Sequence, residues 1–526
     1  MKAKQRYDAL RSTRDDFLDQ GVTAARLTLP YLVKQDEDDS THKNLKTPWQ
    51  SVGAKGVTTL ASKLMLALLP VNTSFFKLQM DETSLLKYNM RPEVKSDLDL
   101  TFAKIERTLM ESISHSDDRV VVHQALKHLV VTGNALIYMA KDKLKLYPLN
   151  RYVVERDGMG NVIEIVTKEK ISKKLVENML PEKMREPNPA MDQAENRTRA
   201  DEVDIYTHVK REANKFVWHQ EVYGKIIPKT RGSSPIDTNP WIPLRFNTVD
   251  NEAYGRGRVE EFIGDLKSLE ALSQALVEGS AAAAKVVFTV SPSSTTKPAV
   301  LAKAGNGAIV QGRPDDIGVV QVGKGADFAT ASQMIQQLER RLAEAFLILN
   351  VRDSERTTAE EVRMTQMELE QQLGGLFSML TVDFLVPYLN RKLSVFQRSG
   401  EIPKLPKDMV KPTIVAGVNA LGRGQDRESL AAFMTTIAQT MGPEAIVNYI
   451  NPEEVIKRLA AAQGIDVLNL VKTAQQLQQE QQAAAEQQQQ MAMMQQAGKF
   501  AEVGQKREQL ENERNTQTPA GSSPEA

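Results

Sequence analysis

Apolar positions recur every three or four residues in the first part of the chain, give way to short strand-like runs, then recur every three or four again. Residues 1–30 carry a helical stripe closed by Pro30. Residues 35–40 form an acidic, polar link, and Thr47-Pro48-Trp49 leads into a helix with Val52, Leu60, Leu64, Leu66 and Leu69 as its apolar positions. Residues 92–114 and 119–133 give two more helices, the second built on Val122, Leu126, Leu129 and Val130. After Gly133 the period changes: 135–139, 143–147, 152–156 and 162–167 read as strands, and Asp157-Gly158 marks a hairpin turn. Residues 180–202 are polar, contain proline and read as an exposed loop, and strands resume at 203–209 and 216–222. Residues 1 to 250 therefore read as an α+β unit.

The middle of the chain returns to the helical period. Val259, Phe262, Leu266, Leu269, Leu272 and Leu276 mark one helix over 258–284, a rod of roughly 40 Å at 1.5 Å per residue. A compact insertion, 285–325, has short β-type runs at 286–290, 308–311 and 319–322. Ile335, Leu338, Leu342, Ala345 and Leu349 mark a second helix over 329–350. Helix, small β lobe, helix predicts a lobe at the tip of a stalk. A charged loop follows, and Thr358-x-x-Glu361 is a capping box that starts a helix running to residue 397. Gly374, Gly375 and Pro387 interrupt it; at about 1 kcal/mol for each interior Gly and about 3 for Pro, kinks are expected there. Residues 412–470 predict two or three shorter helices, 471–496 a Gln-, Ala- and Met-rich helix that its polar faces leave unstable alone, and 516–526 a disordered tail. The fold class is α+β, mainly helical.

Charge narrows the function. Lys and Arg total 67 and so do Asp and Glu, so the 526-residue chain has no net charge. That excludes a strongly basic DNA-holding protein, whose grip rests on cations neutralising phosphates. With no cysteine, disulfides, Cys-ligated zinc, Fe–S clusters and thiol catalysis are excluded. The longest strongly apolar run, 64–71, is broken by Pro70 and is far short of the ~20 residues of a membrane span, and residues 1–20 show no apolar signal core.

Catalytic chemistry finds little support. Gly318 to Gly325 has the spacing of a phosphate loop, but Gly325 stands where a Ser or Thr should hold Mg²⁺, the segment lies in the β insertion, and the helix after it is expected to start late. Gly255-Arg256-Gly257 lacks the third glycine of a dinucleotide fingerprint. His123 and His128 are five apart, a poor ligand spacing on a helix, and the acidic run Asp36 to Asp39 reads as a solvated loop. No cofactor, no metal and no enzymatic activity are expected.

Several blocks closely resemble one family. They are Thr47-Pro48-Trp49-Gln50-Ser51-Val52-Gly53-Ala54-Lys55-Gly56, continuing into Leu60-Ala61-Ser62-Lys63-Leu64-Met65-Leu66-Ala67-Leu68-Leu69-Pro70; Gln124-Ala125-Leu126-Lys127 with Gly133-Asn134; Tyr152-Val153-Val154-Glu155-Arg156-Asp157; Tyr254-Gly255-Arg256; Thr358-Ala359-Glu360-Glu361-Val362-Arg363; and Gly422-Arg423-Gly424-Gln425-Asp426. In this order, over residues 45–430, they resemble the portal (head-to-tail connector) proteins of short-tailed, T7-like bacteriophages.

The resemblance implies a non-enzymatic ring, typically of twelve subunits, at one capsid vertex, through whose channel double-stranded DNA is packaged and ejected. It implies as partners the terminase large subunit, a tail adaptor, the major capsid and scaffolding proteins and internal core proteins, with no membrane. It places the protein in the virion between head and tail, and in the host cytoplasm during assembly. Mapped onto the elements, it implies a wing (1–255), stem helices (256–284 and 329–349) flanking a clip (285–328), and a tunnel loop (350–357). It then implies a kinked wing helix (358–398), a crown (399–470), a C-terminal helical barrel (471–510) and a tail (511–526). A conduit must not hold its cargo. The first stem pattern sets Arg256, Arg258, Lys267 and Lys285 against Glu260, Glu261, Asp265, Glu270 and Glu278, a slightly acidic wall. Arg352, Asp353, Glu355 and Arg356 would face DNA in the tunnel loop as a valve, or pair between neighbouring subunits. Arg363 could touch the channel or a carboxylate of the adjacent subunit. Two other classes stay open at this point: a scaffold or filament protein, resting on the Gln-rich helix, and a packaging ATPase, resting on Gly318 to Gly325.

Overall fold

The computed structural model describes residues 2–35, 45–70, 74–80, 92–179, 202–283, 287–305, 307–320, 325–348, 377–403, 410–414 and 423–442, with single positions 375, 450 and 455. The chain divides into two units, Met1–Leu421 and Gly422–Ala526.

In the first unit, helix α1 spans Ala3–Arg26, α2 Val52–Leu68, α3 Pro92–His115 and α4 Asp118–Thr132. Helix α4 packs on both α1 and α2. Its Val122, Ala125, Leu126, Leu129 and Val130 are buried, together with Leu60, Ala61 and Leu64 of α2 and Leu18 and Val22 of α1. Each fully buried Leu or Val contributes about 1.5–3 kcal/mol, so the helical stripes read from the sequence form the centre of the core. Helix α4 ends at Gly133, which is left-handed at φ +74 and whose amide donates to Leu129 O at 2.9 Å.

That turn delivers the chain into strand β2, Asn134–Met139, which pairs antiparallel with β3, Leu144–Tyr147, on one side and β10, Trp241–Arg245, on the other. A second antiparallel sheet follows: β4 Tyr152–Arg156, β5 Val162–Ser172, β6 Glu202–Glu212, β7 Lys215–Val222 and β8 Lys225–Ile226, with β9 Gly232–Pro235 also on β7. A short helix, α5 Lys173–Met179, follows β5. The hairpin signalled by Asp157 is present: Asp157 Oδ1 accepts the amides of Met159 at 3.0 Å and Asn161 at 2.7 Å, and Gly160 supplies the left-handed residue at φ +81. Helix α1 lies across this sheet. Arg6 Nε donates to Glu164 at 2.7 Å, His208 also bonds Glu164, and the Ala3 amide donates to Glu221 at 2.7 Å. Burial pushes the Glu164 carboxyl up, but the hydrogen bonds from His208 and Arg6 outweigh it and hold it down at about 2.

Several expectations are corrected. Strand β5 runs beyond 167 because it follows β6 from Glu164↔Lys210 to Ser172↔Glu202, and β6 runs beyond 209 because it follows β7 to Glu212↔Lys215. Residues 410–414 form a strand, β13 Val410–Ile414, paired with β1 Phe76–Met80, where short helices were expected to begin. The kink expected at Pro387 is a π-helical segment, Thr381–Leu385, leading into α10, Val386–Ser399. Proline has no amide for the carbonyl four residues back, and a widened turn accommodates the missing bond. Gly375 sits in helical conformation with open space where a β-carbon would stand. Gly374, residues 180–201 of the predicted loop 180–202, the Gln-rich helix and the tail lie outside the described residues, and Glu202 already belongs to β6. In the second unit the described helix is α11, Arg423–Met441.

His128 is buried in α4, its Nδ1 has no partner among the described residues, and burial lowers its pKa to about 4. The unfolded chain takes up this proton near pH 6.5 and the folded chain does not until about 4. Stability therefore falls as pH drops from 6.5 towards 4, by at most about 3 kcal/mol. Urea unfolding of the wild type and of His128→Gln at a series of pH values checks this. The wild type is expected to lose stability across that window and the variant to lose less; parallel curves would contradict it.

Candidate channel wall and docking lobe

The predicted stalk is a helical hairpin. Helix α6, Arg258–Glu261, stops at Phe262 (φ −114, ψ 17), and α7 continues over Ile263–Ala283, so the single rod expected over 258–284 is broken near its base. The return helix, α9, spans Gly325–Ala345 and begins four residues earlier than the apolar stripe suggests. Asp265 meets Arg341 at 3.0 Å, while a β-carbon on Gly279 would come within 2.9 Å of the Phe328 ring. The two helices are therefore antiparallel and stay in register over about 20 Å.

Near the body, Leu266, Leu269, Leu338 and Leu342 are buried; farther out, Val277 is 51% and Met334 48% exposed. The pair is acidic. Lys267, Arg340 and Arg341 stand against Asp265, Glu270, Glu278, Asp327, Glu339 and Glu344. Arg341 is further committed to Asp265, and Arg340 to Glu344 at 3.5 Å.

The residues that carry the family resemblance build the joint between hairpin and body. Glu270 of α7 accepts the amides of Trp49 at 3.0 Å and Gln50 at 3.4 Å. Gln50 in turn donates to Leu27 O at 2.7 Å and accepts the Gly53 amide at 2.8 Å. Gly56 leaves room for Phe346: a β-carbon there would lie 2.7 Å from its ring. Lys63, its pKa lowered by burial, donates to Leu347 O, and Arg258 donates to Ala345 O at 3.3 Å. Leu347 is left-handed at φ +57, which ends α9 at this clamp.

A second joint joins Gly133-Asn134 to Tyr254-Gly255-Arg256. Asn134 Nδ2 donates to Gly255 O at 2.7 Å and Asn134 Oδ1 accepts the Gly255 amide at 2.8 Å. The Tyr254 hydroxyl accepts the Val154 amide at 2.9 Å. Arg256 bonds Glu252 at 2.6 Å and also Glu260, and these hydrogen bonds raise its pKa.

At the far end of the hairpin sits the small lobe. Strand β11, Val287–Val290, pairs antiparallel with β12, Ile317–Val320, and a short helix, α8 Pro298–Lys303, lies between them. The strand expected at 308–311 is absent. Gly318 lies inside the antiparallel β12, residues 321–324 are outside the described set, and α9 starts at Gly325 itself rather than late. Arg352, Asp353, Glu355, Arg356 and Arg363 lie outside the described residues. His123 bonds Ser62 at 3.2 Å. Among the described residues no cluster of His, Asp and Glu is placed to hold a metal ion, and no helix is long and apolar enough to cross a membrane.

Residues 1–470 match the model of the bacteriophage head to tail connecting protein family. The chain is 37% identical over 487 residues to the portal protein of Escherichia phage T7, covering 90% of this chain and 89% of the relative. It is 38% identical over 486 residues to that of Enterobacteria phage T3, with the same coverage, and 30% identical over 436 residues to that of Enterobacteria phage SP6, covering 82% of each. Among solved structures, a chain from the neck of a native GTA particle, computed with C12 symmetry, aligns with 78% of this chain and 89% of its own length at 12% identity and a TM-score of 0.35. The chain belongs to the bacteriophage head-to-tail connecting protein family, whose members include these portal proteins.

Proposed function

We propose that copies of the chain close side by side into a ring, of twelve subunits in the family's usual form, at the vertex between virion head and tail. The ring is the conduit for double-stranded DNA on packaging and ejection. The α+β body is the wing, α7 and α9 are the stem, the β11–β12 lobe is the clip, and residues 350–357 are the tunnel loop. Terminase large subunit and tail adaptor dock on the clip, capsid, scaffolding and internal core proteins contact the body, and assembly takes place in the host cytoplasm.

The acidic stem hairpin carries this reading. Every charge on it is repeated by each subunit, so a basic wall would trap DNA by counterion release, while three cations against six anions per hairpin give the duplex nothing to hold. The chemistry is that of a slide rather than a binding site, and the role is structural.

Arg352 and Arg356 supply the transient phosphate contacts of a valve in the tunnel loop. Rings of R352A/R356A are expected to assemble normally and to package or retain DNA poorly in an in-vitro packaging assay, with a loss of about tenfold or more. Normal packaging and retention would reject the valve and leave the four charged residues as pairs between subunits.

A further inference from the structure

The α+β body carries a pocket that neither the hairpin nor its lobe uses. It holds about 270 Å³ and lies between the β4–β5 turn at residues 157–160, the end of β10 at Arg245, and residues 248–253. That is below the roughly 300–1,000 Å³ of sites for drug-sized ligands, so its occupant is small.

Two guanidiniums line it. Arg156, the last residue of β4, donates from Nε to Ala253 O at 3.0 Å, from Nη1 to Gly160 O at 2.9 Å and from Nη2 to Pro243 O at 2.9 Å. Arg245 donates from Nη1 to Glu252 O at 3.2 Å, and its Nη2 lies 2.9 Å from where a β-carbon of Gly160 would stand. The Arg245 Nε is buried and has no partner among the described residues. Every one of these acceptors is a neutral carbonyl. Among the described residues, neither guanidinium is hydrogen-bonded or ion-paired to a carboxylate. Burial and the adjacent Arg245 charge lower the Arg156 pKa to about 10, so its surroundings disfavour the charge it carries.

The carboxylates around the pocket are engaged elsewhere. Asp157 accepts the Met159 and Asn161 amides and, at 3.0 Å, Asn161 Nδ2. Glu252 is held by Arg256. Asp383, on the π-helical segment, acts on both guanidiniums only through space, and burial pushes its own carboxyl up. Asp250 is exposed at the rim, where Asn251 Nδ2 donates to it at 3.4 Å.

We propose that this pocket binds a small tetrahedral oxyanion of the phosphate class. Arg245 supplies charge-assisted hydrogen bonds from its unpartnered Nε–H and the rest of its fork, and Arg156 supplies the second positive charge. The ligand is the free ion, because Asp157 and Asp250 at the mouth oppose the approach of a DNA backbone. Once bound, it bridges the β4–β5 turn, β10 and residues 248–253, which run directly into Tyr254-Gly255-Arg256, and it stabilises that joint by mass action. One chain holds the whole site, so the inference stands apart from the ring reading.

Isothermal titration of the purified full-length protein with sodium phosphate, against sodium chloride at equal ionic strength, tests it. The wild type is expected to bind phosphate saturably and to unfold at a higher temperature in its presence. R245Q is expected to weaken binding about thirtyfold through the lost charged donors. V249D sets a carboxylate at the mouth on a side chain 45% exposed, where it leaves the fold intact, and is expected to weaken binding about tenfold. No saturable binding by the wild type overturns the site, and so does wild-type affinity in V249D or in folded R245Q. A short DNA duplex is expected to leave phosphate binding unchanged; its displacement of phosphate would overturn the assignment to a free ion.

Discussion

Replacing Asp118 by Ala is expected to destabilise the first unit by about 3–5 kcal/mol, the cost of leaving a buried charge without its partner. Asp118 is 1% exposed at the start of α4. Its Oδ2 accepts from the Tyr388 hydroxyl at 2.6 Å and from Lys392 Nζ at 2.7 Å, both on α10. Burial, reinforced by the neighbouring carboxylate, keeps the Tyr388 phenol neutral by raising its pKa well above the usual value. Without Asp118, an ammonium with a side chain 13% exposed and a buried hydroxyl lose the acceptor they share. The double variant D118A/K392M removes the stranded charge and is expected to recover a large part of the loss. Urea unfolding of the three proteins checks this. A loss under about 1 kcal/mol in D118A, or no recovery in the double variant, would show that α4 and α10 are held by packing alone.

Gly133→Ala is expected to cost about 4 kcal/mol, from two additive causes. The residue is left-handed at φ +74, a conformation that strains a non-glycine residue by about 1–3 kcal/mol. The new methyl would also lie 2.4 Å from the Arg256 carbonyl carbon, 2.5 Å from Gly255 O and 2.6 Å from the Gly257 amide, and backbone cannot rotate away as a side chain does. The substitution therefore pries apart the joint at which α4, β2 and the chain leading into α6 meet. Gly158→Ala is the control, because nothing lies within 4 Å of its added methyl and its φ is not left-handed; its effect is expected within about 0.5 kcal/mol. Thermal unfolding of both separates the two positions, and equal stability of G133A and G158A would refute the close-approach argument.

Local order was readable in the chain; distant pairing was not. The stripes on α2 and α4 and the short apolar runs of β2 and β4 located those elements to within a residue or two, because each packs apolar residues into the same core. The pairing Phe76↔Ile414 joins segments more than 300 residues apart and leaves no local signal. The break at Phe262 was hidden for a related reason: its ring sits by Arg258 at 4.9 Å and Phe346 at 6.0 Å, contacts that no periodicity encodes. Gly56 did leave a signal. An interior helical glycine costs about 1 kcal/mol against Ala, and that cost points to a close neighbour, here Phe346. Lys63 left none, since a lysine on a helix reads as solvated until its acceptor at the end of α9 is known. The acidity of the α7–α9 hairpin was countable from residues alone, whereas the roles proposed for Arg352 and Arg356 came only from the resemblance.

Single-particle imaging of the purified protein tests the central claim most directly. The account predicts closed rings seen end-on, with an open axis wide enough for duplex DNA, the paired helices α7 and α9 lining it, and the β11–β12 lobe at one end. A protein that stays monomeric at every concentration, or that forms assemblies with no axial opening, would contradict it.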